Sequence, residues 1–89
     1  MNTEEYLLTL LIEECSEIIH CTSKVLRFGP MGKEDGCDLT NIRRLQMETA
    51  DLFAALEMLT DSYNLPPPRR SEIDAKKNKV TTYIAKITK

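Results

Sequence analysis

Apolar side chains recur at helical spacing over three stretches of this chain, and no stretch alternates apolar and polar residues as a half-buried strand does. The first stretch runs from about Thr3 to Phe28. At its start, Asn2 and Glu5 have the spacing of a capping box, which favours a helix N-terminus. The pattern therefore predicts an all-α protein.

Two segments rich in glycine or proline, which interrupt helices, separate the three stretches. Residues 29–36 hold all three glycines and one proline, and residues 66–68 are three successive prolines. Short connections of this kind favour antiparallel neighbours. We predict an antiparallel helical hairpin plus a C-terminal helix, with helices from about Thr3 to Phe28, from Leu39 or Thr40 to Asn64, and from a cap at Ser71 onwards.

The length of 89 residues allows one domain, residues 1–89, and a chain this short buries only a modest core on its own. The second helix also carries apolar residues on more than one side, among them Ala50, Ala54, Ala55 and Met58. We therefore expect a homodimer or homotetramer in which helices one and two of two subunits form a four-helix-bundle core.

Charge and cysteine content limit the cellular compartment and the binding partners that we expect for this protein. The formal net charge of −2 disfavours nucleic-acid binding by bulk electrostatics, and acidic residues interrupt the apolar stretch 7–19, so no membrane partner is expected. The three cysteines form no Cys-x-x-Cys pair and are expected to be reduced thiols of a cytoplasmic protein. Cys15 and Cys21 are expected to be buried on helix one.

Two pairs of acidic residues stand out on the predicted hairpin. Glu14 and Glu17 lie three residues apart on helix one, and Glu48 and Asp51 have the same spacing on helix two, so each pair shares one helix face. Core-type residues flank both pairs. Partly buried carboxylates that face one another are unfavourable unless protons or cations neutralise them. Oxygen ligands of this kind suit Mg²⁺ or Mn²⁺.

These motifs resemble a known family. The string Glu-Glu-x-x-Glu at 13–17, the segment Ser-Lys-Val-Leu-Arg-Phe-Gly at 23–29, Asn41, and Glu-Thr-Ala-Asp-Leu at 48–52 are together similar to the all-α nucleoside triphosphate pyrophosphohydrolases, which include MazG and the dimeric dUTP and dCTP pyrophosphatases. The likeness is greatest to the short versions found in bacteriophages, and it spans most of the chain.

The resemblance implies hydrolysis of a nucleoside triphosphate to the monophosphate and pyrophosphate. Glu14, Glu17, Glu48 and Asp51 would then hold Mg²⁺, with Glu14 acting directly in catalysis. Glu13, the first acid of the motif, would bind a second metal ion or orient the attacking water.

A triphosphate also requires cations. Lys24 lies seven residues after Glu17 and therefore on the same face of helix one, with Arg27 one turn later. On helix three, Lys76, Lys79 and Tyr83 share one stripe. These five residues are the candidates for substrate binding, together with Phe28, which either stacks on a nucleobase or belongs to the core.

Two other functions remain open at this level. Glu17 and His20 form a Glu-x-x-His motif, which with Glu48 in a homodimer has the composition of a di-iron carboxylate site. Alternatively, the acids form a solvated helix face of a non-enzymatic helical interaction module. The di-iron interpretation leaves Glu13, Glu14 and Asp51 without a role, whereas the pyrophosphohydrolase interpretation uses them.

Overall fold

The computed structural model describes residues 1–88, and three helices account for most of them. Helix α1 spans Thr3–Phe28, α2 spans Asn41–Ser62 and α3 spans Arg70–Ile87. The described residues contain no strand; one isolated antiparallel bridge joins Lys33 to Thr40 within the loop. The prediction of an all-α protein is confirmed.

The caps of α1 and α2 explain where these helices begin and end. The Asn2 side chain accepts a hydrogen bond from the Glu5 amide at 2.8 Å, as the sequence predicts. Thr40 is extended and caps α2 by accepting from the Arg43 amide at 3.2 Å. At the other end Asn64 has a φ of 54°, a left-handed conformation that ends the helix two residues before the predicted position.

The predicted cap of α3 at Ser71 is wrong. The helix begins at Arg70, so Ser71 lies in its first turn, and Arg69 occupies the cap position. The Glu72 carboxylate accepts a hydrogen bond from the Arg69 amide at 3.1 Å. This contact is the backward half of a capping box, which stabilises the helix start without a serine.

Asn41 anchors the loop end of the hairpin formed by α1 and α2. Its side chain is buried and donates a hydrogen bond to the Gly29 carbonyl at 3.1 Å, and its amide donates to the Gly32 carbonyl at 2.8 Å. Gly32 is required here, because a Cβ atom would lie 2.8 Å from the Phe28 carbonyl oxygen. The loop is therefore tied to the starting turn of α2.

A second polar contact closes the open end of the hairpin. The Ser62 hydroxyl in the last turn of α2 donates a hydrogen bond to the Glu4 carboxylate in the first turn of α1, at 3.0 Å. Contacts at both ends hold the two helices antiparallel. The predicted antiparallel hairpin plus C-terminal helix is therefore present.

The hairpin buries few residues. Leu7, Cys21 and Ala55 are the buried apolar residues among those described, and no large side chain is fully buried. Cys15, which was expected to be buried, is exposed, because it lies on the side of α1 away from α2. A second apolar stripe runs along that side at seven-residue spacing, formed by Ile12, Ile19 and Leu26, which are 69%, 70% and 83% exposed.

Most of helix α3 projects from the hairpin, although Ile73 in its first turn lines a groove with Phe53 and Leu56 of α2. No Cα atom of α3 lies within 8 Å of one in α1 or α2, and the molecule is flat, with extents of 43 × 39 × 16 Å. Its apolar stripe is exposed and consists of Ile73, Val80, Ile84 and Ile87. None of the helices within residues 1–88 combines the length and apolar character needed to cross a membrane.

We expect the exposed stripe of α1 to be covered by a second copy of the chain. Replacing Ile19 with Glu should give a monomer with a lower melting temperature, because a charge in an apolar interface loses its hydration. Sedimentation velocity at micromolar concentration measures the outcome. Ile19→Leu, which keeps the volume, should assemble like the wild type; a wild-type monomer would contradict the expectation.

Candidate metal centre

Glu14 and Glu48 occupy central positions in the two stripes through which α1 and α2 pack. On α1 the stripe is Leu7, Glu14 and Cys21, at seven-residue spacing, and both ends of it are buried. On α2 the corresponding residues are Asn41, Glu48 and Ala55, again with both ends buried. Each carboxylate is therefore held at the helix–helix contact by the packing of its own neighbours.

Three carboxylates meet at this contact. Oxygen atoms of Glu14, Glu48 and Asp51 all lie within 4.8 Å of one another. Glu14 and Glu48 are half-buried, whereas Asp51 is exposed at the edge of the contact. Glu48 and Asp51 share a face of α2 because they are three residues apart, and α1 brings Glu14 opposite them. We call these three residues the carboxylate cluster.

The environment of Glu14 opposes its ionisation. Partial burial raises the pKa of the Glu14 carboxyl above its ordinary value, and the negative charges of Asp51, Glu48, Glu13 and Glu17 raise it further. A proton relieves this repulsion at low pH. At neutral pH a bound cation would relieve it, because a cation favours the charged form of every carboxylate around it.

The cluster has the dimensions of a site for one small divalent cation. Mg²⁺ binds oxygen at about 2.1 Å, so two oxygens on opposite sides of one ion lie about 4.2 Å apart. Carboxylate oxygens within 4.8 Å of one another reach that separation with small side-chain adjustments. Three carboxylates leave other positions for water or a ligand, which is the usual manner of binding Mg²⁺ in proteins.

The other residues predicted around the metal lie outside the cluster. Glu17 and Glu13 are exposed on α1, and Glu17 lies within electrostatic range of both Glu14 and Cys21. His20 is exposed as well, and within one chain it does not join Glu17 and Glu48 in a group of metal-binding side chains. The structure therefore brings together three of the four predicted metal ligands.

Two cations lie beside the cluster, towards the loop end of the hairpin. Lys24 on α1 and Arg44 on α2 both form ion pairs with Glu34 of the loop, the Arg44 pair at 2.6 Å. Burial raises the pKa of the Cys21 thiol, as does the Glu48 charge, while Arg44 and Lys24 lower it. The thiol therefore lies between the acidic and basic groups, which are neighbours along the same contact.

Arg44 and Glu34 were not singled out from the sequence. Arg44 precedes Glu48 by four residues and so shares its helix face, a spacing that identifies it in retrospect. No comparable signal exists for Glu34, because its position depends on how the loop folds back over the helices.

Arg27 and Phe28 contact one another at the end of α1. The guanidinium carbon of Arg27 lies 4.9 Å from the centre of the Phe28 ring, a cation–π contact. Phe28 is 61% exposed, so in this chain it is not a core residue. Its ring is open to stacking by a planar group.

The predicted binding residues of α3 lie away from the carboxylate cluster. Lys76, Lys79 and Tyr83 are exposed on α3, no Cα atom of which lies within 8 Å of one in α1 or α2. Within one chain, the basic stripe and the cluster are therefore separate.

None of the known protein families, curated proteins or solved structures with which the chain was compared matches it. The likeness to the MazG-like enzymes therefore rests on the motif residues alone.

The raised pKa of Glu14 predicts how stability depends on pH. Glu14 contributes fully to the free energy of unfolding below the pKa of glutamate in the unfolded chain, about 4.3. This contribution is lost as pH rises through the higher pKa that Glu14 has in the folded protein. Without divalent cations, Glu14→Gln should therefore melt at a higher temperature than the wild type at pH 7 and lose this advantage near pH 4. Thermal melts in a chelator from pH 4 to pH 8 test this.

At neutral pH, Mg²⁺ should make the wild type melt at a higher temperature than Glu14→Gln. Millimolar Mg²⁺ in tenfold excess over its dissociation constant should raise the wild-type melting temperature by about 5 °C or more and leave Glu14→Gln nearly unchanged. Glu57→Gln, an exposed acid on another face of α2, serves as the control and should respond like the wild type. Equal responses in all three proteins would mean that the cluster binds no metal.

Proposed function

We propose that this chain is a Mg²⁺-dependent nucleoside triphosphate pyrophosphohydrolase of the MazG-like kind, active in nucleotide metabolism. It hydrolyses a triphosphate to the monophosphate and pyrophosphate. The observation that carries the proposal is the meeting of three carboxylates from two helices, with oxygens within 4.8 Å of one another, at a partly buried contact. Mn²⁺ can replace Mg²⁺ because both prefer oxygen ligands.

The arrangement of charges along the hairpin also favours a phosphate substrate. Carboxylates alone repel a triphosphate. Mg²⁺ held by Glu14, Glu48 and Asp51 would neutralise them and supply stabilisation of the charge on phosphate oxygens. Arg44 supplies positive charge one turn from Glu48 on the same face of α2, and Lys24 lies beside Arg44 because both contact Glu34. A metal centre with cations on one side is suited to a polyanion that extends from the metal towards the loop.

Glu13 and Glu14 have different roles in the proposed reaction. Burial and the neighbouring acidic charges raise the pKa of the Glu14 carboxyl, and a bound cation would favour its ionised form. Glu13 is exposed on the adjoining face, where a carboxylate oxygen can accept a hydrogen bond from the attacking water and orient it. Glu17, one turn further along α1, completes the acidic surface that a second cation would use.

The nucleoside is expected at the loop end of α1. Phe28 presents an open ring face beside Arg27, which combines a stacking surface with a cation. Lys76, Lys79 and Tyr83 lie on α3, away from the carboxylate cluster of their own chain, so we propose that they reach the phosphates from the partner subunit or when α3 moves.

Loss of a cluster carboxylate should abolish turnover. Mutation of a residue that only supports a metal ligand typically lowers metal affinity or activity about 10–100-fold. Loss of a ligand itself should cost at least as much, so Glu48→Gln and Asp51→Asn should each lower kcat/KM about a hundredfold or more. Pyrophosphate release from a panel of triphosphates, normal and damaged, measures this and reveals the preferred base. Near wild-type activity in either variant would refute the proposed site.

His20→Ala is the informative control for these variants. The proposed reaction predicts that this substitution leaves turnover nearly unchanged, since His20 is exposed and apart from the cluster. Loss of bound metal in His20→Ala would instead favour the di-iron alternative with Glu17 and Glu48. Wild-type protein that releases no pyrophosphate and gains no stability from Mg²⁺ would favour the non-enzymatic interaction module.

The basic stripe of α3 should act on substrate binding alone. Replacing Lys76 and Lys79 together with Gln should raise KM about a hundredfold or more, because each charged hydrogen bond contributes about 1.5–3 kcal/mol. Mg²⁺ affinity without nucleotide should not change. Lys77→Gln, one position off the stripe, should behave like the wild type. If the double variant kept the wild-type KM, α3 would have no part in binding phosphate.

A further inference from the structure

Glu34 forms ion pairs with two cations that come from different helices. Its carboxylate contacts Lys24 of α1 and, at 2.6 Å, Arg44 of α2. The Lys24 and Arg44 side chains are only 18% and 29% exposed, whereas the Glu34 side chain is 41% exposed. The carboxylate therefore lies on the solvent side of a pair of partly enclosed cations.

Hydrogen bonds also hold the loop in place, independently of the ion pairs. Asn41 already binds the loop through the Gly29 and Gly32 carbonyls, and the Ile42 amide donates to the Pro30 carbonyl at 2.9 Å. The backbone carbonyl of Glu34 separately accepts from the Cys37 amide at 3.0 Å. The side chain of Glu34 can therefore leave the cations while the loop backbone stays where it is.

Both cations lie close to the carboxylate cluster. Arg44 is one turn from Glu48 on α2, about 6 Å along the helix axis, and Lys24 lies beside Arg44 because both contact the Glu34 carboxylate. Between the two groups lies Cys21, whose side chain is small and uncharged at neutral pH. Oxygens of one extended polyphosphate can reach both groups.

We propose that Lys24 and Arg44 form a phosphate-binding subsite and that Glu34 occupies it as an internal competitor until a polyphosphate displaces it. The inference builds on the proposed function and adds Arg44 as a binding residue and Glu34 as a residue that sets affinity.

The chemistry of the three groups fits this exchange. A carboxylate and a phosphate present oxygens at similar spacing to a guanidinium, which binds either of them through paired hydrogen bonds. A lysine ammonium binds both as a point charge. A polyphosphate carries several negative charges against the single charge of Glu34, so it displaces the carboxylate at sufficient concentration, and Glu34 keeps the cations neutralised in its absence.

The test measures binding of inorganic tripolyphosphate, without nucleotide and in a chelator, by isothermal titration calorimetry. Removing the competing charge in Glu34→Gln should tighten binding about tenfold, since two partly exposed ion pairs no longer oppose it. Asp35→Asn removes the same charge from the next loop position, which forms no ion pair within residues 1–88, and should leave the affinity near that of the wild type. Arg44→Gln should weaken binding about tenfold or more.

Equal or weaker binding by Glu34→Gln, or wild-type binding by Arg44→Gln, would overturn the inference. A second measurement uses only the wild type, in case the variants fold poorly. Tripolyphosphate should shift the Arg44 Nε–H and Glu34 amide signals in ¹⁵N-resolved NMR spectra, with smaller changes at Asp35. An Arg44 signal that does not respond at saturating tripolyphosphate would overturn the inference as well.

These results are separable from the proposed function. If the protein releases pyrophosphate from nucleotides but Glu34→Gln does not tighten binding, the subsite is wrong and the enzyme assignment stands. If Glu34→Gln binds tripolyphosphate more tightly but no triphosphate is hydrolysed, the subsite stands and the enzyme assignment fails.

Discussion

Carboxylates from two helices face one another across the helix–helix contact of the described residues. Such a contact normally excludes charge, because ionised groups lose hydration there and like charges repel. Here Glu14 and Glu48 take the middle positions of stripes whose outer members are buried, so the packing of Leu7, Cys21 and Ala55 forces the acids together. The site is thus a consequence of how the hairpin packs, and the raised pKa of Glu14 reflects that unfavourable placement.

Charge changes sign along the hairpin, and this order gives the contact its chemical character. Acidic groups lie at the centre, the Cys21 thiol follows, and Lys24 and Arg44 lie towards the loop, where Glu34 joins them. A cation is favoured at the centre and an anion at the loop end. A metal-bound polyphosphate satisfies both, which is why the proposed function and the proposed competitor role of Glu34 concern one continuous surface.

The isolated chain has little apolar interior. The stripe of Ile12, Ile19 and Leu26 faces away from α2, and α3 projects with its own apolar stripe exposed. Burial of apolar surface is the main favourable contribution to folding, at about 25 cal/mol per Å², so a small chain with so much of it exposed gains by association. The same association would give the lysines of α3 a way to approach a carboxylate cluster that their own chain keeps at a distance.

The sequence alone determined the three helices, because apolar spacing, glycine, proline and capping residues act over a few neighbours. It also predicted a site of four carboxylates, of which the structure brings Glu14, Glu48 and Asp51 together. The predicted cap of α3 at Ser71 was wrong, because local contacts at Arg69 and Glu72 determine where the helix begins. The predicted burial of Cys15 was wrong, because the rotation of α1 about its axis determines which side chains face α2. Only the tertiary structure decided that Glu17 lies outside the cluster, that α3 leaves the hairpin, and that Glu34 joins Lys24 and Arg44. Those outcomes depend on helix register and loop path, which arise from packing between residues far apart in the chain.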